Sequence, residues 1–227
     1  MHLNTTFLAD RDAWIIRFCS VKKVLHLGCT DWPLTAERLR NNRLLHGHLA
    51  ECCENVVGVD VDAEGIEILR GLMPAHEFHV ASCESLDKSD HIRGREWDII
   101  LAADVFEHVS NLGLALVATK QLMSSQTRLV ITLPSAFSAK RFFTAALTGR
   151  EHVHSDHCYY FSPSTILQCL ARAGLTAESL GMFMWRNPSF INRLAAALLK
   201  PLNMVTGGRL ADELALVAQR KEEMPRP

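Results

Sequence analysis

Two short apolar runs, each ending in a residue suited to a nucleotide-like ligand, constrain the fold of this chain more than any other feature. Residues 24–28 read Val-Leu-His-Leu-Gly, and residues 56–60 read Val-Val-Gly-Val-Asp. Residues 34–53 between them show the apolar spacing of helices. This order predicts a βαβ unit, in which the glycine turns the backbone and the carboxylate accepts hydrogen bonds from a ribose. We therefore expect a ligand beyond the carboxyl ends of both strands.

Apolar runs alternate with helical patterns along most of the remaining chain. Near-continuous apolar runs are typical of parallel strands covered on both faces. The predicted strands are residues 23–27, 56–60, 77–81, 97–102, 128–133, 175–184 and 212–219. The predicted helices are residues 9–19, 34–41, 44–53, 63–72, 111–123 and 164–173. This alternation predicts an α/β fold with a doubly wound, mostly parallel, seven-stranded sheet.

Composition narrows the functional classes. The chain has 227 residues, of which 48% are hydrophobic, and no repeat or linker divides it, so we expect a single domain over residues 1–227. A net charge of −1 argues against nucleic-acid binding. We find no signal peptide and no apolar run of the ~18 residues that a transmembrane helix needs. Seven cysteines without a paired spacing indicate reduced thiols, and we expect a cytoplasmic protein.

Five segments in this order resemble the class I methyltransferases that use S-adenosylmethionine (SAM). Two are the runs described above. The others are residues 80–86 (Val-Ala-Ser-Cys-Glu-Ser-Leu), residues 97–109, which contain Ala-Ala-Asp-Val-Phe-Glu-His, and residues 157–163 (His-Cys-Tyr-Tyr-Phe-Ser-Pro). The resemblance implies a Rossmann-like methyltransferase fold. Residues 28–33 (Gly-Cys-Thr-Asp-Trp-Pro) also lack the G-x-G-x-x-G pattern that a dinucleotide requires.

The resemblance implies that SAM is the cofactor and places its contacts at the strand ends. Asp60 would bind the ribose, and the backbone N–H of Cys83 would face the adenine. The full set of cofactor-binding residues is His26, Gly28, Cys29, Asp60, Val61, Ser82, Cys83 and Ala103. Four positions depart from the family pattern: His26 replaces an acid, Thr30 and Trp32 replace glycines, and Ser82 replaces a common Asp.

Asp104, Glu107 and His108 are candidate ligands for a divalent metal. If a helix begins near Asp104, these three side chains share one of its faces, and carboxylates with an imidazole suit Mg²⁺, Zn²⁺ or Mn²⁺. The spacing resembles the acid-x-x-Glu-His block of two metal-using families, the ubiquinone-pathway O-methyltransferases and the enzymes that methylate small-RNA 3′ ends. The alternative is that Glu107 and His108 orient the substrate or brace the helix without a metal.

A second polar cluster, residues 151–157, reads Glu-His-Val-His-Ser-Asp-His and supplies candidate catalytic groups. A histidine can take the proton from an attacking hydroxyl near neutral pH. His157 is the first candidate because it matches a histidine of the resembling family, and His154 is the second. With Glu107 and His108 they complete the predicted catalytic set. The alternative is a solvated loop whose histidines cap helices.

The resemblance implies O-methylation of a small molecule, a sugar or a natural-product intermediate. Lid or insertion segments are expected near residues 136–160 and 186–208, where basic and apolar residues mix; packing or lid formation is favoured there over contact with a membrane surface. The alternatives are a non-methylating SAM-using enzyme, a degenerate binding module and a metal-using RNA methyltransferase. A homodimer stays open.

Overall fold

The computed structural model describes residues 5–150, 154–183, 201, 205, 206 and 210–221. Its strands are β1 (Thr5–Leu8), β2 (Lys23–Leu27), β3 (Asn55–Asp60), β4 (Glu77–Val80), β5 (Ile99–Ala103), β6 (Arg128–Pro134), β7 (Leu175–Phe183) and β8 (Glu213–Arg220). Its α-helices are α1 (Arg11–Cys19), α2 (Thr35–Arg40), α3 (Leu45–Cys52), α4 (Ala63–Leu72), α5 (Leu112–Gln121), α6 (Ala139–Thr148) and α7 (Pro163–Arg172). A 3₁₀ helix covers Cys83–Lys88.

The strands form one sheet in the order β1-β7-β8-β6-β5-β2-β3-β4. β8 is antiparallel to both of its neighbours, β6 and β7, and all other pairs are parallel. The prediction of a mostly parallel α/β sheet is therefore confirmed. The order reverses at β2, which lies between β5 and β3. Such a reversal opens a crevice beyond the carboxyl ends of the strands.

The predicted strand count of seven is wrong, because the described residues contain eight strands. The additional strand is β1, whose four residues pair in parallel with β7 from Thr5↔Leu180 to Leu8↔Phe183. β1 lies at the edge of the sheet, and Phe7 is 45% exposed. An edge strand this short has only two apolar residues and no alternation long enough to be recognised.

The strand pattern creates a buried layer on each face of the sheet. Successive side chains of a strand point to opposite faces. One layer packs against α5 and α7 and includes Leu25, Leu27, Val57, Val59, Ile100, Leu116 and Ile166. The other packs against α1 and α3 and includes Ile15, Val24, Leu49, Val56, Ile99 and Leu101. Burial on both faces explains why β2, β3 and β5 read as continuous apolar runs.

Side-chain caps begin the helices that border the crevice. Asp62 accepts a hydrogen bond from the backbone N–H of Gly65 at the start of α4, and Asn111 accepts one from Leu114 at the start of α5. These caps satisfy backbone donors that have no partner inside a helix. The caps fix where α4 and α5 begin, directly after the segments that follow β3 and β5.

The expected lid segments are only partly described. Helix α6 lies in the segment 136–160 and exposes Phe142, Phe143 and Leu147 by 68%, 51% and 83%. Most of the segment 186–208, and residues 151–153, lie outside the described residues, so the lid interpretation stays a prediction. Within the described part of the chain, no helix has the length and apolar character needed to cross a bilayer.

Candidate cofactor and acceptor site

A cavity of about 820 Å³ opens at the carboxyl ends of β2, β3 and β5. Residues from the loops after these strands line it, together with the loop that carries His154 and His157. All eight predicted cofactor contacts border this cavity: His26, Gly28, Cys29, Asp60, Val61, Ser82, Cys83 and Ala103. Asp104, His108, His154 and His157 also line it. Glu107 is absent from the lining.

The turn after β2 depends on Gly28. Its φ is +71°, a backbone conformation that residues with a Cβ rarely adopt. A Cβ on Gly28 would also lie 2.6 Å from Cγ2 of Val105. The backbone N–H groups of Gly28 and Cys29 donate to the carbonyl of Val59, at 2.8 and 3.2 Å. The turn is thus held against both β3 and the segment after β5.

Asp60 joins the two loops that follow β2 and β3. Its Oδ2 accepts hydrogen bonds from the backbone N–H and the hydroxyl of Thr30, at 3.0 and 2.8 Å. Its Oδ1 accepts one from the backbone N–H of Asp62 at 3.0 Å. A carboxylate offers about four acceptor positions, so these three bonds leave capacity for a ligand hydroxyl. Thr30, a departure from the family pattern, is therefore part of the arrangement that holds Asp60.

A buried histidine pair occupies the deep end of the cavity. Nδ1 of His26 lies 3.0 Å from Nδ1 of His46, and the side chains are 2% and 0% exposed. Burial is the main cause that lowers the pKa of both rings, to about 3 for His46, and the neighbouring ring and Arg11 lower that of His26 further. A hydrogen bond between two like atoms requires one ring to donate and the other to accept. Both rings are therefore neutral near pH 7.

Arg11, which was not predicted from the sequence as a site residue, lines the same end of the cavity. Its guanidinium forms ion pairs with Asp12 and with Asp104, and its side chain is only 10% exposed. Asp104 also accepts a hydrogen bond from the hydroxyl of Thr132 at 3.0 Å. Arg11 and Asp104 lie far apart in sequence, and no spacing pattern connects them. The one local signal is Arg11 itself, a charged residue in the first turn of a helix that leads into the first predicted strand.

The end of β4 forms a second wall of the cavity. Ser82 accepts a hydrogen bond from the backbone N–H of Glu84 at the start of the 3₁₀ helix. Glu84 in turn accepts from the backbone N–H groups of Ser110 and Asn111, at 2.8 and 3.0 Å, and so ties this wall to the start of α5. Burial, the main cause, raises the pKa of the Cys83 thiol to about 11, with Glu84 adding to it, and burial also raises that of Cys29. These thiols are therefore protonated rather than nucleophilic.

The structure corrects the interpretation of residues 104–108. No helix begins at Asp104: its φ is +55°, and residues 106–108 form a turn. Glu107 is only 1% exposed, and its Oε2 has no hydrogen-bond partner. Burial, and then Asp104, raise the pKa of Glu107 to about 8. Among the described residues, Asp104, Glu107 and His108 do not form a group of candidate metal ligands.

His108 instead lies beside two histidines of the loop after α6. Its ring centroid is 4.6 Å from that of His157 and 5.7 Å from that of His154. The carbonyl of Glu107 accepts hydrogen bonds from the backbone N–H groups of Cys158 and Tyr159, at 2.7 and 3.3 Å, which holds this loop against the turn. Burial is the main cause that lowers the pKa of His108 and His157, with the neighbouring histidines adding to it. His108, His154 and His157 form a histidine cluster, and all of them line the cavity.

These features fit the chemistry of SAM. A glycine turn at the end of β2, a carboxylate at the end of β3 and a wall at the end of β4 surround one cavity, and none of them resembles a pyrophosphate cradle. Fold and site together define the Rossmann-like class of SAM-dependent methyltransferases.

The family model described as "Methyltransferase domain" matches residues 18–180. The chain belongs to this family, and the predicted resemblance to class I SAM-dependent methyltransferases is confirmed.

Solved structures agree with the fold. Magnesium protoporphyrin IX methyltransferase from Synechocystis PCC 6803, solved with bound S-adenosylhomocysteine (SAH), aligns with a TM-score of 0.59 at 14% identity, over 92% of this chain and 80% of that chain. The YcgJ protein from Bacillus subtilis aligns with a TM-score of 0.57 at 16% identity, over 94% and 98%. At these identities the likeness concerns the fold alone.

One curated relative is the ubiquinone biosynthesis O-methyltransferase of Bartonella quintana (strain Toulouse). It is 25% identical over 162 residues, which cover 68% of this chain. The chain spans about 60% of the length of that relative.

We expect Gly28→Ala to cost more stability than Gly94→Ala. Both glycines have positive φ, +71° and +77°, but a Cβ on Gly94 meets no atom within 4 Å, whereas one on Gly28 meets Val105. The backbone cost is about 1–2 kcal/mol at either site, and the overpacking at Gly28 adds about 1–3 kcal/mol. Chemical denaturation measures the difference. Equal losses of stability in the two variants would show that Val105 can move aside without a cost in free energy.

We expect the loss of folding stability at acidic pH to depend on His46. The unfolded ring binds a proton near pH 6.5, but the folded ring does so only near pH 3. Stability is therefore full above pH 6.5 and falls as the pH drops toward 3, by about 1.4 kcal/mol per pH unit for each such proton. His46→Phe should flatten this slope, as measured by denaturation at a series of pH values. The exposed His91→Gln is the control, and an unchanged slope in His46→Phe would contradict the assignment.

Proposed function

We propose that this protein transfers the methyl group of SAM to a hydroxyl oxygen of a small-molecule acceptor, such as a sugar or a natural-product intermediate. The observation that carries the proposal is a single cavity that is lined both by the strand ends expected to hold the cofactor and by the histidine cluster. The Bartonella quintana relative, an O-methyltransferase by name, supports the choice of oxygen. A near-neutral net charge favours a small acceptor over a nucleic acid.

Asp60 and the 3₁₀-helix wall would hold the nucleoside part of SAM. Asp60 has one acceptor position left for a ribose hydroxyl, and the wall at Ser82 and Cys83 would face the adenine. The sulfonium of SAM supplies an activated methyl group when it is bound. Because the thiols of Cys29 and Cys83 are protonated, they contribute shape and backbone groups rather than a competing nucleophile.

The ion pair of Arg11 and Asp104 would hold the methionine end of the cofactor. That end carries an ammonium and a carboxylate, so it requires a cation and an anion at matching positions. In many family members an acid stands where this chain has His26, and a neutral His26 cannot supply its charge. Asp104 replaces that negative charge from the end of β5, and Arg11 adds the positive one.

His157, His108 and His154 would orient or deprotonate the acceptor hydroxyl. Methyl transfer proceeds in line, so a positioned oxygen and an excluded solvent supply much of the rate. Glu107 lies behind the cavity wall rather than on it, so its contribution would be to fix the turn that carries His108.

One observation favours a second candidate, a binding module without turnover. Three of the acceptor positions of Asp60 are already used by Thr30 and Asp62. If Asp60 serves only to brace the loops, the ribose lacks its partner. Cofactor binding separates the two candidates.

We expect Asp60→Asn to weaken binding of SAM and SAH at least about tenfold, because it removes a charge-assisted acceptor. Thr30→Val keeps the side-chain shape but removes the hydroxyl that bonds to Asp60, so it should have a smaller effect. Calorimetric titration measures both affinities, and thermal unfolding checks that the variants are folded. Unchanged affinity in folded Asp60→Asn would mean that Asp60 only braces the loops. No binding by the unmodified protein at millimolar ligand would favour the binding module.

We expect Arg11→Met to separate two ligands that share the same nucleoside. SAH carries the amino-acid end, and 5′-methylthioadenosine lacks it. Loss of the guanidinium should weaken SAH binding by about tenfold to a hundredfold and leave binding of 5′-methylthioadenosine unchanged. Arg17→Met, an exposed change in the same helix, is the control. Equal losses for both ligands would show that Arg11 supports the fold of the cavity and not the methionine end.

A further inference from the structure

The three histidines on the acceptor side have the arrangement of a metal site. Their candidate ligand nitrogens all lie within 4.8 Å of one another, and they are the one such group among the described residues. We propose that His108, His154 and His157 bind one divalent ion of the Zn²⁺ type, which holds the acceptor hydroxyl. This inference rests on the proposed function for its acceptor but not for the metal itself.

The three histidine rings need to move only a short distance to bind one ion. Zn–N bonds of about 2.0–2.1 Å place two nitrogens on one tetrahedral ion about 3.3 Å apart. The rings already lie at centroid distances of 4.6, 5.4 and 5.7 Å. His108 and His154 are exposed, so their rings can rotate toward a common point without displacing the core. The site is therefore complete when the ligand nitrogens of each pair of histidines move closer by about an ångström or more.

One nitrogen of the cluster lacks a protein partner. Nδ1 of His157 is buried and has no hydrogen bond. A buried polar atom without a partner is costly, and such atoms require an explanation. A bound ion that takes this nitrogen as a ligand, or that turns the ring so that Nδ1 finds a partner, provides one.

Asp156 contacts two rings of the histidine cluster. Its backbone carbonyl accepts a hydrogen bond from the ring of His108. Metal-binding histidines commonly donate their second ring N–H to a carbonyl or carboxylate, which fixes the ring orientation, so Asp156 provides this partner for His108. The contact with His154 is different, because Nδ1 of His154 accepts a hydrogen bond from the backbone N–H of Asp156 at 3.4 Å. His154 would therefore bind the ion after its exposed ring rotates.

The donor set selects the class of metal. Three imidazole nitrogens without a carboxylate suit Zn²⁺, Co²⁺ or Ni²⁺, whereas Mg²⁺ and Ca²⁺ require oxygen ligands. This set differs from the one predicted from the sequence, since Asp104 and Glu107 take no part. Three protein ligands also leave a fourth position open, as in catalytic zinc sites. Because all three histidines line the cavity, we expect an acceptor in the cavity to reach that position.

The open position would activate the acceptor. A hydroxyl bound to Zn²⁺ loses its proton more readily, as zinc-bound water does. The O–H bond would break, the oxygen would keep the electron pair, and the proton would pass to solvent water. The oxygen would then form a bond to the methyl carbon of SAM, and the bond from that carbon to sulfur would break, with its electron pair leaving on SAH.

The test is metal binding by the full chain, expressed without a polyhistidine tag and stripped with chelator. Co²⁺ titration followed by visible absorption reports the number and geometry of ligands, and Zn²⁺ calorimetry reports stoichiometry. We expect one ion per chain. His157→Gln and His154→Gln should each weaken Zn²⁺ binding by at least about 10- to 100-fold and leave SAH binding unchanged. His48→Gln, a histidine of α3 outside the cavity, is the matched control.

Each outcome decides between the proposals. The absence of a stoichiometric ion, or equal affinity in all variants, would overturn the metal site, and the histidines would then act as bases or orienting groups. Metal binding without SAH binding would overturn the proposed methyl transfer and keep the site. A variant that loses its folded circular-dichroism spectrum is replaced by His157→Asn, for which the same loss of Zn²⁺ affinity is expected.

Discussion

The carboxylate of Asp60 is the interaction on which the cavity depends. It binds the loop after β2 through Thr30 and the loop after β3 through Asp62, so two backbone segments share one anion. Gly28 allows the first of these loops to turn close to Val105. A loop with several glycines can adopt such a turn because its backbone is flexible. In this chain the loop after β2 has one glycine, and the hydrogen bond from Thr30 to Asp60 helps to hold it in position.

At the buried end of the cavity, the charged groups lie beside β2 rather than at its end. His26 and His46 are neutral and hydrogen-bonded to each other, so the end of β2 carries no charge. The charges lie one strand away, on Asp104 after β5 and on Arg11 from α1. A buried ion pair is costly unless both partners are well satisfied. Here Asp12 and Thr132 supply the additional contacts, and both partners of the pair line the cavity.

Local patterns predicted most of the fold but only part of the site. The strands β2, β3 and β5 were found because burial on both faces gives continuous apolar runs, and Gly28 and Asp60 were found because they end such runs. β1 was not predicted, because four residues at the edge of a sheet are too few to show an alternation of apolar and polar side chains. The metal hypothesis for residues 104–108 depended on a helix that begins near Asp104. None begins there, because Asp104 has a φ of +55° and turns the chain, and sequence does not show φ. Arg11 and the histidine pair depend on contacts between distant segments, which spacing cannot reveal.

The position of β8 has a consequence for synthesis. It lies between β6 and β7, and it is the last described strand in chain order. Strands β2 to β6 can pair as they leave the ribosome, but β7 and the amino-terminal β1 have no neighbour in the main sheet until residues 213–220 emerge. The nascent chain therefore holds a nearly complete cavity beside an unpaired edge of β6. Such edges invite pairing with other chains, so until β8 has been synthesised the edge of β6 needs protection from aggregation.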